Sequence, residues 1–590
     1  MQPQLSDEPA TESFKDLDFP NVTFRRAWKD LVEVNNTLTN LREVLNVPSY
    51  DDLRNVENKA PAYPSASKLK AIMARGTLWA ALASDTPDEG QVFAPDDGRI
   101  MVIMGCFDLL WGVISVAQCS TFAYLRRSFP PRLWADIFRW VEYLHPIHGR
   151  VLRSDDPTTM DPAFAIFKAL DCVSRSESDM ERIVLETPVI LPIFLDCWLH
   201  YPVYVNPNSP DKVAHCTLII KAMAQLYRKL KGDLARSVLL ADLRRLCGGR
   251  NVSLWRKIGS QTAYLAGLKP DSRFEWMWAS HFELARNLTG QPAFVCEVIP
   301  TRVVSTVIAA ARQCLSRRQW YEGAKEAAGL LHGLIRMSDD HRTLVRIIHA
   351  GVLPFIREIG ITSRSPGSRH ITSLSSHIAA SFWLPRSLRA LRAQIPDLRP
   401  DEVGVHDMSR PLDNYDEVLA AYGHALKTYY NVRDQWKYSM PCMRLKGPHN
   451  RAVRVCPCGK VFYCSAACQR ERWGSHRSSC TPDPWGMEGK ITLEDVVHIN
   501  TAAQRYLDEN REAITKDSAH LPTLLHDGLT ATLTLNFCQD GNPAHVVHVH
   551  NITHDMPGRR TMFVMVRFWL GGQQCTERMP FSFDLTERSR

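Results

Sequence analysis

Six cysteines and two histidines crowd into residues 442–480: Cys442, His449, Cys456, Cys458, Cys464, Cys468, His476 and Cys480. Cys464 and Cys468 are four apart, His476 lies eight beyond Cys468, and Cys480 four beyond His476. Thiolate and imidazole are the ligands Zn²⁺ prefers, and structural zinc takes four of them tetrahedrally. Short ligand pairs separated by longer loops read as zinc sites. The six cysteines with His476 make seven ligands, nearly enough for two ions. The expected cofactor is therefore Zn²⁺, as two ions with one site incomplete.

The back half of this stretch reads Cys456-Pro-Cys458, Val461-Phe462-Tyr463-Cys464, Cys468-Gln469, Trp473 and His476-x3-Cys480. It resembles the MYND-type zinc finger. Two positions depart from that pattern. Only Cys442 stands for the first cysteine pair, with Ser439 where the other would fall, and the second pair is Cys-Pro-Cys instead of Cys-x2-Cys. The resemblance implies two zincs bound in a cross-braced way. Carried over, Cys456, Cys458, His476 and Cys480 form a complete site. Cys442, Cys464 and Cys468 form another, one ligand short, with His449, Tyr438 or a water left to complete it. The resemblance also implies a finger that binds short proline-containing segments of other proteins, with Gln469 and Trp473 as peptide-binding residues. An exposed indole stacks well on proline, and a glutamine amide can bond an extended backbone. The competing reading of Trp473 is the core of a small module.

Enzyme chemistry has little support. No glycine-rich phosphate loop, dinucleotide fingerprint or nucleophile elbow is present. MYND fingers occur inside SET-type lysine methyltransferases, which carry an Asn-His pair against the methyl donor. This chain has no Asn-His dipeptide, and residues 481–590 are too few for the SET core. No catalytic residue is expected. The formal net charge is +8, and residues 442–480 hold eight Lys/Arg against one acid, Glu471. Such a patch suits phosphate or an acidic protein partner. No helix shows the spacing of base-reading side chains found in DNA-entering fingers. The expected function is a protein-interaction scaffold or adaptor, with a nucleic-acid-associated regulator as the alternative.

A chain of 590 residues, 45% hydrophobic and 23% charged, has ample material for several domains. The polar, acidic N-terminus lacks the apolar core of a secretory signal. With the clustered cysteines this argues for a reducing compartment, cytoplasmic or nuclear. The remaining cysteines, such as Cys216 in HCTLII, read as buried small hydrophobes. Ile100 to Ala117 approaches the length of a membrane span. Asp108 at its centre would cost roughly 2.5–3.5 kcal/mol there, so a buried helix is expected and no membrane association.

The fold class expected is multidomain and mainly α. Residues 1–20 are expected to be disordered and 21–435 to form an armadillo/HEAT-like helical region. Val213, Cys216, Ile220, Met223, Ala224 and Tyr227 make one helical stripe; Ala324, Ala327, Ala328, Leu331, Leu334 and Ile335 make another. Arg346 to Ile356 resembles an armadillo-repeat turn with a Leu-Pro helix start at Pro354, echoed at Pro192. Residues 362–369 and 396–411 read as loops. A stripe from Tyr415 to Tyr429 marks the helix entering the finger, packed on the finger or on the last repeat. The finger occupies 436–482. Residues 483–590 are expected to form a small α+β domain with an antiparallel sheet. A capping box at Thr492/Asp495 starts a helix running to about Ile514. Leu529 to Phe537 alternates as a half-buried strand, Asp540-Gly541 is a turn signal, and further strands follow at 546–552 and 562–570, with a fourth after Gly571-Gly572. His545, His548, His550 and His554 lie close together there but read as a solvated strand face, with only Asp555 to join them.

Overall fold

A computed structural model of the protein describes residues 19, 21–44, 64–116, 129–130, 132–152, 161–175, 180–270, 273–317, 320–362, 368–395, 414–433, 435–444, 451–518, 529–538, 544–551 and 561–584. The expectation for the N-terminal segment, the turn at Asp540-Gly541 and most of both loops lie outside them. The chain divides into two compact units, Met1–Arg250 with Gly267–Leu284, and Asn251–Ala266 with Ala285–Arg590. It is predominantly helical. The helices are α1 (Val22–Val44), α2 (Pro64–Ala74), α3 (Thr77–Leu82), α4 (Gly98–Val116), α5 (Leu133–Leu144), α6 (Pro162–Arg175), α7 (Met180–Glu186), α8 (Ile190–Tyr204), α9 (Lys212–Lys229), α10 (Asp233–Leu246), α11 (Asn251–Ala266), α12 (Phe274–Thr289), α13 (Thr301–Leu315), α14 (Tyr321–Arg336), α15 (Arg342–His349), α16 (Val352–Thr362), α17 (Arg369–Ala380), α18 (Pro385–Arg392), α19 (Asn414–Val432), α20 (Trp436–Ser439), α21 (Ala466–His476), α22 (Leu493–Glu509) and α23 (Arg511–Asp517). The strands are β1 (Arg454–Val455), β2 (Phe462–Tyr463), β3 (Leu529–Asn536), β4 (Ala544–Asn551), β5 (Thr561–Leu570) and β6 (Gln573–Asp584).

In the first unit, the stripe of α9 is buried throughout, and so are His215, Thr217, Leu218 and Ile219 on its other faces. Burial on all sides needs each polar group satisfied. Thr217 meets this by donating to the Val213 carbonyl at 2.6 Å. α4 is long and apolar enough to cross a membrane, yet 78% of its apolar window is buried within the protein. It packs on α1 and α6, and Asp108 pairs with Lys168 of α6. Pro192 sits in the first turn of α8, where a missing N–H leaves no bond unmade.

In the second unit, α15 stops before Gly351, which takes φ 95°, and α16 restarts at Val352 with Pro354 in its first turn. Glycine adopts that left-handed backbone without steric penalty. All six stripe residues of α14 are buried. α14 packs on α13 and α17, α13 on α16, and α19 on α16 and α17. α19 thus lays its buried Val418, Tyr422, Ala425 and Leu426 chiefly on the helices before it.

The C-terminal region differs from expectation in two respects. The capping box is present: Thr492 Oγ1 accepts from Asp495 N at 3.2 Å and Asp495 Oδ2 accepts from Thr492 N at 2.9 Å. The helix does not run on to Ile514. It breaks at Asn510 (φ −109°, ψ 14°), and α23 follows. The sheet is mixed, not antiparallel. Its order is β4-β3-β5-β6, with β3 and β5 parallel. β5 is an interior strand, paired parallel with β3 on one side and antiparallel with β6 on the other. The expected antiparallel sheet is corrected at this one pairing, since β5 lies beside β3 and not beside β4.

Ala531, Leu533, Leu535 and Phe537 of the β3 segment pack with Val564, Val566 and Phe568 against Val496, Ile499 and Ala503 of α22. Trp383 and Leu384, just before α18, belong to the same core, and Trp383 stacks on Phe537 at 4.5 Å. A buried ion pair adds to this seam, Arg386 of α18 to Asp495 of α22 at 3.0 Å. The β5–β6 turn is tied to the helices as well. Gly572 N donates to Ser338 O at 2.9 Å, and His377 Nε2 donates to Gly571 O at 3.0 Å.

Two outcomes are expected. A Cβ on Gly572 would lie 1.8 Å from the Arg336 carbonyl oxygen. Gly572→Ala should destabilise the second unit by about 3 kcal/mol or more, read from denaturant unfolding, since backbone cannot yield as a side-chain tip can. Burial lowers His332, His377 and His498 from 6.5 to about 4. These imidazoles are neutral in the fold but protonate in the unfolded chain below 6.5. Their stabilisation is therefore full above pH 6.5 and is lost as pH falls from 6.5 toward 4. His377→Asn should flatten this pH dependence relative to the parent by up to about 1.4 kcal/mol per pH unit. An unchanged slope would count against a buried neutral His377.

Candidate metal centre

The finger is a two-stranded ribbon followed by a helix. β1 and β2 pair antiparallel, Arg454 opposite Tyr463 and Val455 opposite Phe462. The connecting turn carries Cys456-Pro457-Cys458-Gly459. It closes by Gly459 N donating to Cys456 O at 2.8 Å and Cys456 N to Val461 O at 2.9 Å. Gly459 has φ 71°, and a Cβ there would meet Val496 of α22 at 2.8 Å. The turn thus needs glycine both for its backbone and for its approach to α22. After β2, Ser465 caps α21, its hydroxyl accepting from Cys468 N at 3.2 Å. This cap sets Cys468 in the first turn of the helix and His476 at its end.

All seven ligands expected from the sequence come together in two groups, Cys456, Cys458, His476 and Cys480, and Cys442, Cys464 and Cys468. Within each group the ligand atoms lie within 4.8 Å of one another. Cys456 Sγ is 3.7 Å from Cys480 Sγ, and Cys458 Sγ is 3.4 Å from His476 Nε2. In the second group Cys464 Sγ is 3.4 Å from Cys468 Sγ, and Cys442 Sγ accepts from Cys464 N at 3.5 Å. Zinc–sulfur bonds of about 2.3 Å at tetrahedral angles put sulfurs roughly 3.8 Å apart. Both donor sets fit zinc by chemistry and by spacing. The one-residue Cys-Pro-Cys spacing delivers both thiols to one group. Along the chain the groups alternate, as cross-bracing requires.

The electrostatics favour the ligand form at His476 and Cys468 and oppose it at the other shifted thiols. Burial lowers His476, with Lys460 adding to it, so the imidazole is neutral, its ligand form. Burial pushes Cys464 up to about 11 and raises Cys456, Cys458 and Cys480. Cys468 is lowered, first by the Ser465 hydrogen bond. Zinc binding at the raised thiols must expel protons. Of the expected fourth ligands for Cys442, Cys464 and Cys468, Tyr438 is 76% exposed, whereas the three thiols are buried. His449 lies outside the described residues.

Gln469 and Trp473 sit one turn apart on α21 and are both exposed, Trp473 by 40%. The indole meets His476 edge-on at 6.0 Å. The hydrophobic interior of the finger is instead Met440, Val453, Phe462, Tyr463 and the cysteines, backed by Trp436, Val497 and Phe581. Trp473 is therefore not the module's core.

Sequence reasoning missed Trp485. Its N–H donates to Cys458 O at 2.8 Å, and its buried ring contacts Phe568 of β5 at 5.6 Å. It takes φ 55°, unusual for a bulky residue. The Pro484-Trp485-Gly486 sequence was a turn signal that could have drawn attention. On β4, His545 bonds Tyr506 at 2.9 Å and Asp517 at 3.1 Å, and His548 is exposed. The side chain of His550, and His554 with Asp555, lie outside the described residues. Among the described residues, only the two finger groups have metal-ligand spacing.

A family model, the MYND finger, matches residues 441–480. No curated protein and no solved structure matches the chain. The match carries zinc binding and protein-interaction capacity for the finger.

Replacing a ligand should therefore cost the finger its metal. Cys458→Ser or His476→Ala is expected to lower bound zinc, measured by elemental analysis of the purified chain. It should also open residues 441–480 to protease while α13–α19 stay resistant. A finger that remains resistant without metal would show that packing on α22 and β6, not zinc, holds it.

Proposed function

We propose that the chain is a protein-interaction scaffold whose zinc-bound finger docks short proline-containing segments of partner proteins. The observation that carries this reading is the exposure of Gln469 and Trp473, one helical turn apart, on a module whose interior is filled by ligands and other residues. An exposed tryptophan on a braced helix has an unsatisfied apolar face, and aromatic anchors dominate binding energy at interfaces. In this reading the finger holds two zincs, the complete set of Cys456, Cys458, His476 and Cys480 and the three-thiolate set of Cys442, Cys464 and Cys468. The protein is non-catalytic and resides in the cytoplasm or nucleus.

The helical region serves as a second, extended surface of armadillo/HEAT-like helices. Support comes from α13 to α19, where packing recurs at a step of three helices, α13 on α16, α14 on α17, α15 on α18 and α16 on α19. The Gly351 turn with Pro354 in the next helix is a repeat-like boundary.

The test uses the zinc-loaded full chain and a proline-containing peptide. Trp473→Ala should weaken binding by about 2 kcal/mol or more, and Gln469→Ala by less, with zinc content unchanged. Unchanged affinity would remove the groove from α21. Zinc loss on Trp473→Ala would make the indole a structural prop of the metal site.

A further inference from the structure

The basic surplus of the finger is not spread evenly around α21. Arg470 lies three residues before Trp473 and Arg477 four after it, so both neighbour the indole on the helix surface. Arg477 is the helix C-cap and keeps helical φ/ψ, which preserves that spacing. Both arginines are exposed, and no acidic side chain among the described residues pairs with either. Glu471, the one acid between Cys442 and Cys480, is engaged by Arg444 at 2.8 Å. It leaves the arginines around the indole uncompensated.

We infer that the segment docked on α21 is acidic on both sides of its proline, an inference that rests on the peptide-docking reading above. Arg470 to Arg477 spans about 10 Å of helix at 1.5 Å per residue. An extended peptide advances roughly 3.3–3.6 Å per residue. With the proline on Trp473, carboxylates one or two positions to either side fall within reach of the two guanidiniums. Arginine is suited to this, because its planar fork receives a carboxylate bidentately. A nucleic-acid strand fits less well. Sequence-tolerant strand binding uses a succession of aromatic platforms along a basic groove, whereas α21 offers one indole within two turns.

The experiment titrates the zinc-loaded full chain, by calorimetry, with three synthetic peptides. Each has a central proline, flanked on both sides by Asp-Glu, by Ser-Ser or by Lys-Lys. The acidic peptide should bind about two- to thirtyfold tighter than the serine peptide, the range two exposed ion pairs supply. This preference should shrink as salt rises from about 0.05 to 0.5 M. Arg470→Glu with Arg477→Glu, checked for retained zinc, should reverse the order in favour of the lysine peptide. Equal binding of acidic and serine peptides, both lost in Trp473→Ala, would overturn the charge inference and leave the docking reading standing. Binding of none of the peptides would overturn the docking reading itself. A single-stranded oligonucleotide that displaces the acidic peptide at equal ionic strength would assign the arginines to nucleic acid instead.

Discussion

The finger is organised by one geometric demand, that donor atoms of each group converge toward a point about 2.3 Å from each sulfur. A segment this short buries too little apolar surface to hold itself together. The cysteines are therefore both ligands and core: Cys442, Cys456, Cys458, Cys464 and Cys468 are buried beside Phe462 and Tyr463. The Ser465 cap, the Gly459 turn and the two-residue strands exist to aim those thiols. Because the ligands fill the interior, the largest side chain of α21 is released to the surface. A tryptophan that would be the natural core of a metal-free module of this size is left partly exposed.

The finger is not a bead on a string. Gly459 approaches Val496, the Trp485 amide holds the Cys458 carbonyl, and Phe581 of β6 backs the cysteines. The same Trp485 ring lies in the core shared by α22, the sheet and Trp383. Arg386 and Asp495 close the seam between α18 and α22 with a charge pair whose carboxylate has no exposure. A buried pair of this kind is strongly destabilising when one partner is lost, so it holds one arrangement of the two helices against alternatives. Trp473 is thus presented on a helix whose supports run through α22 into the helices before it.

Local chemistry was legible and distant chemistry was not. The stripes of α9 and α14, the Thr492–Asp495 box and the alternation of β3 are patterns with short sequence periods, and each stands in the structure; the seven cysteine and histidine side chains of the finger gather into two groups. The break at Asn510 was missed because the apolar pattern continues through it to buried Ile514. The side of β3 on which β5 pairs depends on partners far away in sequence, as does the role of Trp485. The division of the helical run between two units is also invisible locally, since the stripes are alike on both sides of residues 250–285. The exposure of Trp473 sat in between. The spacing allowed surface or core, and only the packing of Phe462 and Tyr463 decided it.

The tie between the β5–β6 turn and the helices has a consequence for the order in which the protein can be made. His377 and Gly571 are 194 residues apart, and Ser338 waits still longer for Gly572. On the ribosome, α14 to α17 emerge with the Ser338 carbonyl and the His377 ring unmatched, and with Trp383 lacking the strands that cover it. The helices can form early, because their contacts are local, but this flank must remain open until β5 and β6 have been synthesised and have paired. The nascent chain therefore carries exposed apolar surface through the synthesis of the finger. Holding that surface out of trouble is a task for chaperones, and speed of translation through the segment between α19 and β5 sets how long the task lasts.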